Sequence, residues 1–138
     1  MVDRDVVTAR AATIDRCLQR IAETRGERRA VLLPIEVEDI VLLNLQCAVQ
    51  AAIDLATHVA TTEGYGLPDS VAASFSLLEG RGVLDAGLAE RLRKMVGFRN
   101  IAVHNYQALA PEIVEAIVTR HLDDLRGFSA RIVQRFGL

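Results

Sequence analysis

Three side chains suited to phosphodiester chemistry lie within residues 99–106 of the sequence. Arg99, His104 and Tyr106 supply a permanent cation, a titratable imidazole and a phenol. Arginine holds a phosphate through two parallel hydrogen bonds and stays charged at any working pH, whereas histidine both accepts and releases a proton near neutral pH. The types and spacing of these residues therefore predict chemistry on a phosphodiester.

The arginine falls on the apolar stripe of a predicted helix. Residues of this stripe recur every three or four positions and are Leu88, Leu92, Met95, Arg99, Ala102 and Tyr106. A guanidinium on such a face must meet an acid, a set of carbonyls or a phosphate, because an unpaired buried charge is strongly destabilising. A salt bridge to an acid such as Asp54 explains the position of Arg99 as well as a phosphate does.

The histidine does not share this stripe. At about 100° per residue, His104 lies roughly 140° around a straight helix from Arg99. One copy of the motif therefore converges poorly, whereas two copies related by a two-fold axis would flank one cleft. We expect a homodimer.

The remainder of the chain predicts further helices and no strands. Helical periodicity or helix-capping residues mark about 3–24, 35–62, 69–78, 85 to the motif, and 111–136. Gly26 ends the first helix, and Pro34 begins the second. No alternating strand pattern or internal repeat occurs. We expect an all-α, antiparallel, up-and-down bundle of about five helices that forms a single domain over 1–138.

The predicted second helix is apolar around most of its circumference, so it needs neighbours on several sides. Its polar residues form one line, Gln46, Gln50, Asp54 and His58, which would border a wet cleft. Asp54 and His58 resemble half of a metal site, but no third ligand follows at suitable spacing. We assign no metal and no cofactor.

Composition limits how this chain would contact nucleic acid. The net charge is −2 and the pI about 5.9, so no global positive field is present. Any RNA contact must be local. Arg91, Arg93 and Lys94, just before the motif, would steer an RNA backbone, although a solvated helix face explains them almost as well.

The sequence also indicates the cellular compartment. Cys17 and Cys47 lie within apolar helical patterns without metal-ligand spacing, which predicts reduced core thiols. The first residues lack the pattern of a secretory leader, and polar residues interrupt the most apolar helix. We expect a soluble, cytoplasmic protein that has no membrane partner.

The motif Arg-x4-His-x-Tyr, set in Met95-Val-Gly-Phe-Arg-Asn-Ile-Ala-Val-His-Asn-Tyr106, resembles the signature of HepT-type toxins in the HEPN ribonuclease superfamily. The resemblance covers nearly the whole chain. It extends to Asn-Leu-Gln at 44–46, the Asp54 and His58 line, Leu-Pro at 67–68 and Leu-Asp-Asp-Leu at 122–125.

The resemblance implies a dimeric, metal-independent endoribonuclease that cleaves cellular RNA, transfer RNA being one substrate class. In such a toxin, His104 would carry the proton transfers and Arg99 would stabilise charge on the phosphoryl oxygens. Asn100 would orient either group, and Tyr106 would position the phosphate or stack on a base. The implied partner is a minimal nucleotidyltransferase antitoxin, MntA-like, that attaches AMP to Tyr106.

A second hypothesis belongs to a different class. A non-catalytic HEPN-type helical module would bind a nucleotide or a nucleotidyltransferase partner and cleave nothing. Both hypotheses predict the same fold and dimer. They differ at Arg99 and His104, because only a nuclease has an activity that depends on them.

Overall fold

The computed structural model describes residues 1–104 and 109–137, and every regular element within them is helical. The helices are α1 (Arg4–Arg25), α2 (Pro34–Thr62), α3 (Ala73–Gly80), α4 (Ala86–His104), α5 (Pro111–Arg120) and α6 (Leu122–Ile132). A short 3-10 helix, Glu27–Val31, precedes α2, and a π-helical turn, Val133–Gly137, follows α6. The predicted all-α class is confirmed.

Local chemistry determines where the first two helices begin and end. The Asp3 carboxylate accepts hydrogen bonds from the backbone N–H groups of Asp5 (2.8 Å) and Val6 (3.4 Å), so it caps α1. Gly26 ends α1 by donating its N–H to the Ala22 carbonyl at 2.9 Å. A Cβ at Gly26 would lie 3.0 Å from that same oxygen, which explains the glycine. Pro34 is the first residue of α2, where its missing N–H costs nothing.

The final predicted helix is in fact two helices, so the described residues form six α-helices rather than about five. The helix is interrupted at His121, whose N–H still donates to the Ile117 carbonyl at 2.8 Å. The His121 imidazole then lies 3.0 Å from an oxygen of Asp124, in the first turn of α6. Val118 and Leu125 are seven residues apart and would share one face of an unbroken helix. The apolar spacing therefore gives no sign of the break.

The helices α1 and α2 form an antiparallel pair at the centre of the bundle. At one end, the N-terminal ammonium donates to the Thr62 carbonyl at 2.8 Å, and the Asp3 N–H donates to His58 Nε2 at 3.0 Å. At the other end, Arg25 forms a 2.8 Å ion pair with Glu115 of α5. The end of α1 and the start of α2 therefore lie beside α5.

The long α2 helix is buried on several sides, as its apolar circumference predicted. It packs against α1, α3, α4 and α6. By length and composition alone, α2 would also suit a membrane span, but more than half of its most apolar window is buried inside the bundle. This burial is typical of the core helix of a globular protein.

The core joins α3 and α6 through two aromatic rings. Phe75 and Phe128 are fully buried and pack edge to face, with ring centroids 5.6 Å apart and an interplanar angle of 80°. Arg131 of α6 donates to the Val83 carbonyl, just before α4, at 2.9 Å. These contacts fix the start of α4 against the bundle.

The two cysteines differ in environment. Cys17 is buried, with 4% of its surface exposed, as predicted, but Cys47 is exposed and its prediction as a core thiol is wrong. Cys47 lies on the exposed side of α2, together with Leu43, and at the edge of its contact with α1, near Cys17. Burial raises the pKa of the Cys17 thiol, and the nearby Cys47 raises it further.

We expect alkylation to distinguish these thiols. At mildly alkaline pH, iodoacetamide should modify Cys47 rapidly, whereas Cys17 should react only upon unfolding, because burial limits access and disfavours its thiolate. The raised pKa of Cys17 also means that its contribution to stability is present below the pKa of the unfolded thiol and is lost as pH rises through the folded value. Mass spectrometry of each peptide would measure the rates, with Cys47→Ala and Cys17→Ala as controls. Equal rates in the folded protein would contradict this assignment.

Candidate active site at the end of helix α4

The first half of α4 is tied to its neighbours. Asp85 accepts a hydrogen bond from the Leu88 N–H at 2.8 Å and so fixes the start of the helix. Arg91 then pairs with Asp124 of α6 at 2.9 Å, and Arg93 pairs with Glu79 of α3 at 2.9 Å. The second half of α4, which carries the motif, is thereby held in a defined direction.

The Arg99 guanidinium is partly buried and has one side-chain partner in the described part of the chain. Its Nη1 donates to Oδ1 of the adjacent Asn100 at 2.9 Å. No described carboxylate forms an ion pair with it. The suggested salt bridge to Asp54 is not formed, because Asp54 accepts from Gln50 at 2.9 Å and lies 3.7 Å from Arg10. Since a guanidinium has five N–H donors, Arg99 retains donors for an anion.

His104 is the last residue of α4, and its side chain is exposed. No hydrogen bond links it to Arg99, in keeping with the angle of roughly 140° that separates the two positions on a helix. Tyr106 lies outside the described residues. One chain therefore presents the guanidinium and the imidazole on different sides of the same helix end.

Apolar side chains surround these two groups without being covered. Ile101 is 42% exposed and Val103 is 49% exposed. Val103 lies only about 40° around the helix from Arg99, on the side that faces the core in the earlier turns of α4. Ala102 of the last turn is still buried, so only part of this turn lies outside the apolar surface that the bundle supplies.

The polar line on α2 binds α1 rather than a ligand. His58 accepts from the Asp3 backbone, and Asp54 lies near Arg10, so both residues connect the two helices. Within residues 1–104 and 109–137, no group of three or more His, Cys, Asp or Glu side chains has the arrangement of a metal site.

A groove of about 830 Å³ lies between α2 and α5. We call it the α2–α5 groove. Its lining includes Val37 and Leu42 of α2, Val114 of α5, and Leu109 and Pro111 from the chain that follows the motif, but neither Arg99 nor His104. Its residues come from distant parts of the sequence, so helical periodicity gave no signal for it.

Comparison with known protein families identifies one match over most of the chain. The model of the family described as "Ribonuclease HepT-like" matches residues 14–132. The mRNA nuclease HepT of Shewanella oneidensis is 40% identical over 124 residues, which are 90% of this chain and 93% of that protein. A putative RNase of Archaeoglobus fulgidus is 30% identical over 105 residues, 76% of this chain and 75% of that protein.

Known structures share the fold as well. The tri-AMPylated HEPN toxin of Shewanella oneidensis, solved in complex with its MNT antitoxin, superposes with a TM-score of 0.88 at 38% sequence identity. The superposition covers 96% of this chain and all of that toxin. The similarity therefore includes the whole helical arrangement around α4.

Proposed function

Because this chain belongs to the HepT-like ribonuclease family, we propose that it is the toxin of a toxin–antitoxin pair and cleaves RNA at the end of α4. The observation that carries this proposal is the state of Arg99. Its guanidinium is partly buried, no described carboxylate neutralises it, and an exposed imidazole lies on the same helix end. A cytoplasmic location follows from a substrate that is cellular RNA.

His104 performs the proton transfers in this proposal. An imidazole takes the proton from a ribose 2′-hydroxyl, the 2′ oxygen bonds to the adjacent phosphorus, and the bond from phosphorus to the 5′ oxygen breaks. The imidazolium formed in this way gives a proton to the leaving 5′ oxygen, so the products are a 2′,3′-cyclic phosphate and a free 5′-hydroxyl. General acid or base catalysis of this kind contributes about 10²–10⁴ in rate.

Arg99 stabilises the charge that collects on the phosphoryl oxygens during this step. Asn100 accepts from one Nη1–H and so holds the guanidinium plane, while the other donors face the phosphate. Such preorganised donors are usually the largest single contribution to catalysis. The chemistry requires no metal, and we propose that the enzyme is metal-independent.

A second copy of the chain completes the site. Arg99 and His104 diverge on one helix, and the exposed Ile101 and Val103 beside them need an apolar cover. A two-fold dimer that packs the two α4 ends together would satisfy both requirements, because each apolar surface would cover the other. In this dimer, the guanidinium of one protomer faces the imidazole of its partner.

The partner protein is a minimal nucleotidyltransferase of the MntA type that inactivates this chain by adding AMP to Tyr106. The related Shewanella oneidensis toxin is AMPylated and was solved with an MNT antitoxin. AMP on Tyr106, two residues after His104, would place bulk and negative charge where the RNA phosphate binds. This modification would exclude substrate without unfolding the toxin.

Substitution of either polar residue should abolish cleavage. We expect His104→Ala and Arg99→Ala each to lower the rate of RNA cleavage by about 10²-fold or more, because proton transfer or charge stabilisation is lost. Gel analysis with detection of cyclic phosphate ends would measure this. His58→Gln is the matched control, since His58 lies outside the motif, near the C-terminal end of α2. Full activity of His104→Ala would favour the non-catalytic module.

Mixing the two inactive variants tests the shared site. If each site combines Arg99 of one protomer with His104 of its partner, a heterodimer of the variants holds one complete site. Random exchange should then restore up to roughly a quarter of the wild-type rate, because half of the dimers are heterodimers with one of two sites intact. No restoration in a sample shown to contain heterodimers would place both residues in one protomer's site.

Chelation tests the role of metal. Cleavage should continue at an unchanged rate in excess EDTA, because His104 and Arg99 supply the proton transfer and the positive charge. The measurement compares initial rates before and after dialysis against EDTA. A loss of activity that Mg²⁺ or Mn²⁺ restores would contradict the proposal.

Removing the modified hydroxyl should prevent the antitoxin from inactivating the toxin. We expect Tyr106→Phe to retain most cleavage activity but to arrest growth even when the nucleotidyltransferase is co-expressed with it. Intact-mass spectrometry should show AMP on the wild-type chain and none on the variant. Equal AMP incorporation into Tyr106→Phe would assign the modification to another residue.

A further inference from the structure

Four arginines meet in a second recess, at the end of the bundle where α1 meets the junction of α5 and α6. This basic recess has a volume of about 490 Å³ and is lined by Arg25, Arg29, Arg120 and Arg126, with Asp123 as its one lining carboxylate. The chain as a whole has a net charge of −2. The recess is therefore a local concentration of positive charge on a protein that has no global positive field.

Two of these arginines already have acidic partners. Arg25 pairs with Glu115 at 2.8 Å, and Arg126 pairs with Asp123 at 2.7 Å. Arg29 and Arg120 are exposed and, within the described residues, donate to no side chain. Guanidiniums held near one another without matching acids attract an anion that can accept several N–H groups.

The three cations just before the motif, by contrast, all lie near acidic side chains. Arg91 and Arg93 are each within 2.9 Å of a carboxylate, and Lys94 lies 3.7 Å from Glu90. Their charge is largely neutralised by protein acids. Arg29 and Arg120 differ from these three cations because no described carboxylate forms an ion pair with either of them, and both line the basic recess.

The basic recess is continuous with the α2–α5 groove. Arg25, Arg29 and Arg120 line both cavities. The groove also includes Leu109, five residues after His104, so the two Cα atoms are at most about 18 Å apart. A chain of nucleotides cleaved at His104 can therefore enter the groove and continue to the recess.

We propose that the basic recess binds phosphates of single-stranded RNA that extends from the cleavage site through the α2–α5 groove. Arg29 and Arg120 hold the phosphates, and the bases contact the apolar side chains of the groove, which Glu38, Glu112 and Glu115 also line. This site would give affinity without sequence readout, because guanidiniums recognise the backbone alone. The inference rests on the proposed ribonuclease function and adds a site remote from the reacting atoms.

The test measures RNA binding in the His104→Ala background, where the proposed cleavage cannot consume the RNA. The probe is a fluorescent single-stranded oligouridine of about 20 nucleotides, titrated at several salt concentrations. Arg29→Gln/Arg120→Gln should weaken binding and lower the slope of log K against log salt by about 1.4, because each lost phosphate contact accounts for about 0.7. Arg29→Lys/Arg120→Lys should retain the slope, since the charges remain.

The matched control removes the same charge elsewhere. Arg4→Gln/Arg81→Gln changes two exposed arginines away from the recess, because Arg4 lies about 31 Å along α1 from Arg25. The slope should be unchanged in this control, and thermal unfolding should verify that every variant is folded. An unchanged slope and affinity in folded Arg29→Gln/Arg120→Gln would overturn the proposal, as would an equal loss in the control.

Cleavage kinetics distinguish a failure of the proposed binding site from a failure of the proposed nuclease function. With His104 present, Arg29→Gln/Arg120→Gln should raise KM for the long RNA and leave kcat unchanged, since neither residue contacts the reacting atoms. Wild-type protein that binds RNA but cleaves none would contradict the nuclease while leaving the binding site intact. If Arg29→Gln/Arg120→Gln cleaves RNA with an unchanged KM, the proposed RNA-binding role of the recess is contradicted, whereas the nuclease assignment is not.

Discussion

The proposed site depends on a positive charge for which the described part of the fold supplies no counterion. Arg99 lies on the side of α4 that faces the core. The acid that the sequence suggested as its partner, Asp54, instead accepts a hydrogen bond from Gln50 and lies near Arg10. Asn100 orients the guanidinium but does not neutralise it. A partly buried cation in this state favours a bound anion, because a negative ligand restores the interactions that the charge lost on leaving water.

The bundle holds the first turns of α4 in place and leaves part of its last turn exposed. Ion pairs to α3 and α6 hold the first turns, and the Phe75–Phe128 contact packs those two helices together. In the last turn, Ala102 remains buried, but Ile101 and Val103 are exposed. A rigid base and an uncovered end suit a site that a second protomer completes, because the catalytic groups are held in place without being enclosed.

Charge distribution, rather than net charge, connects the proposed active site to substrate. Most cations on α4 and α6 are matched with acids, so they stabilise packing and contribute little to the external field. Arg29 and Arg120 differ because neither forms an ion pair with a described carboxylate, although Glu38, Glu112 and Glu115 line the same groove. The proposed RNA path past these two residues would let a slightly acidic protein bind RNA locally rather than through a global positive field.

The sequence by itself determined the helical class, the approximate extent of α1, α2 and α4, and the angular separation of Arg99 from His104. These properties follow from the helical repeat and from capping residues, which act between neighbours in the chain. Only the tertiary structure decided the break at His121, the exposure of Cys47, the partner of Asp54 and the meeting of Arg29 with Arg120. The burial of each cysteine, the approach of Arg10 to Asp54 and the position of Arg29 beside Arg120 depend on contacts between residues far apart in sequence. One-dimensional periodicity carries no information about which helix faces cover one another.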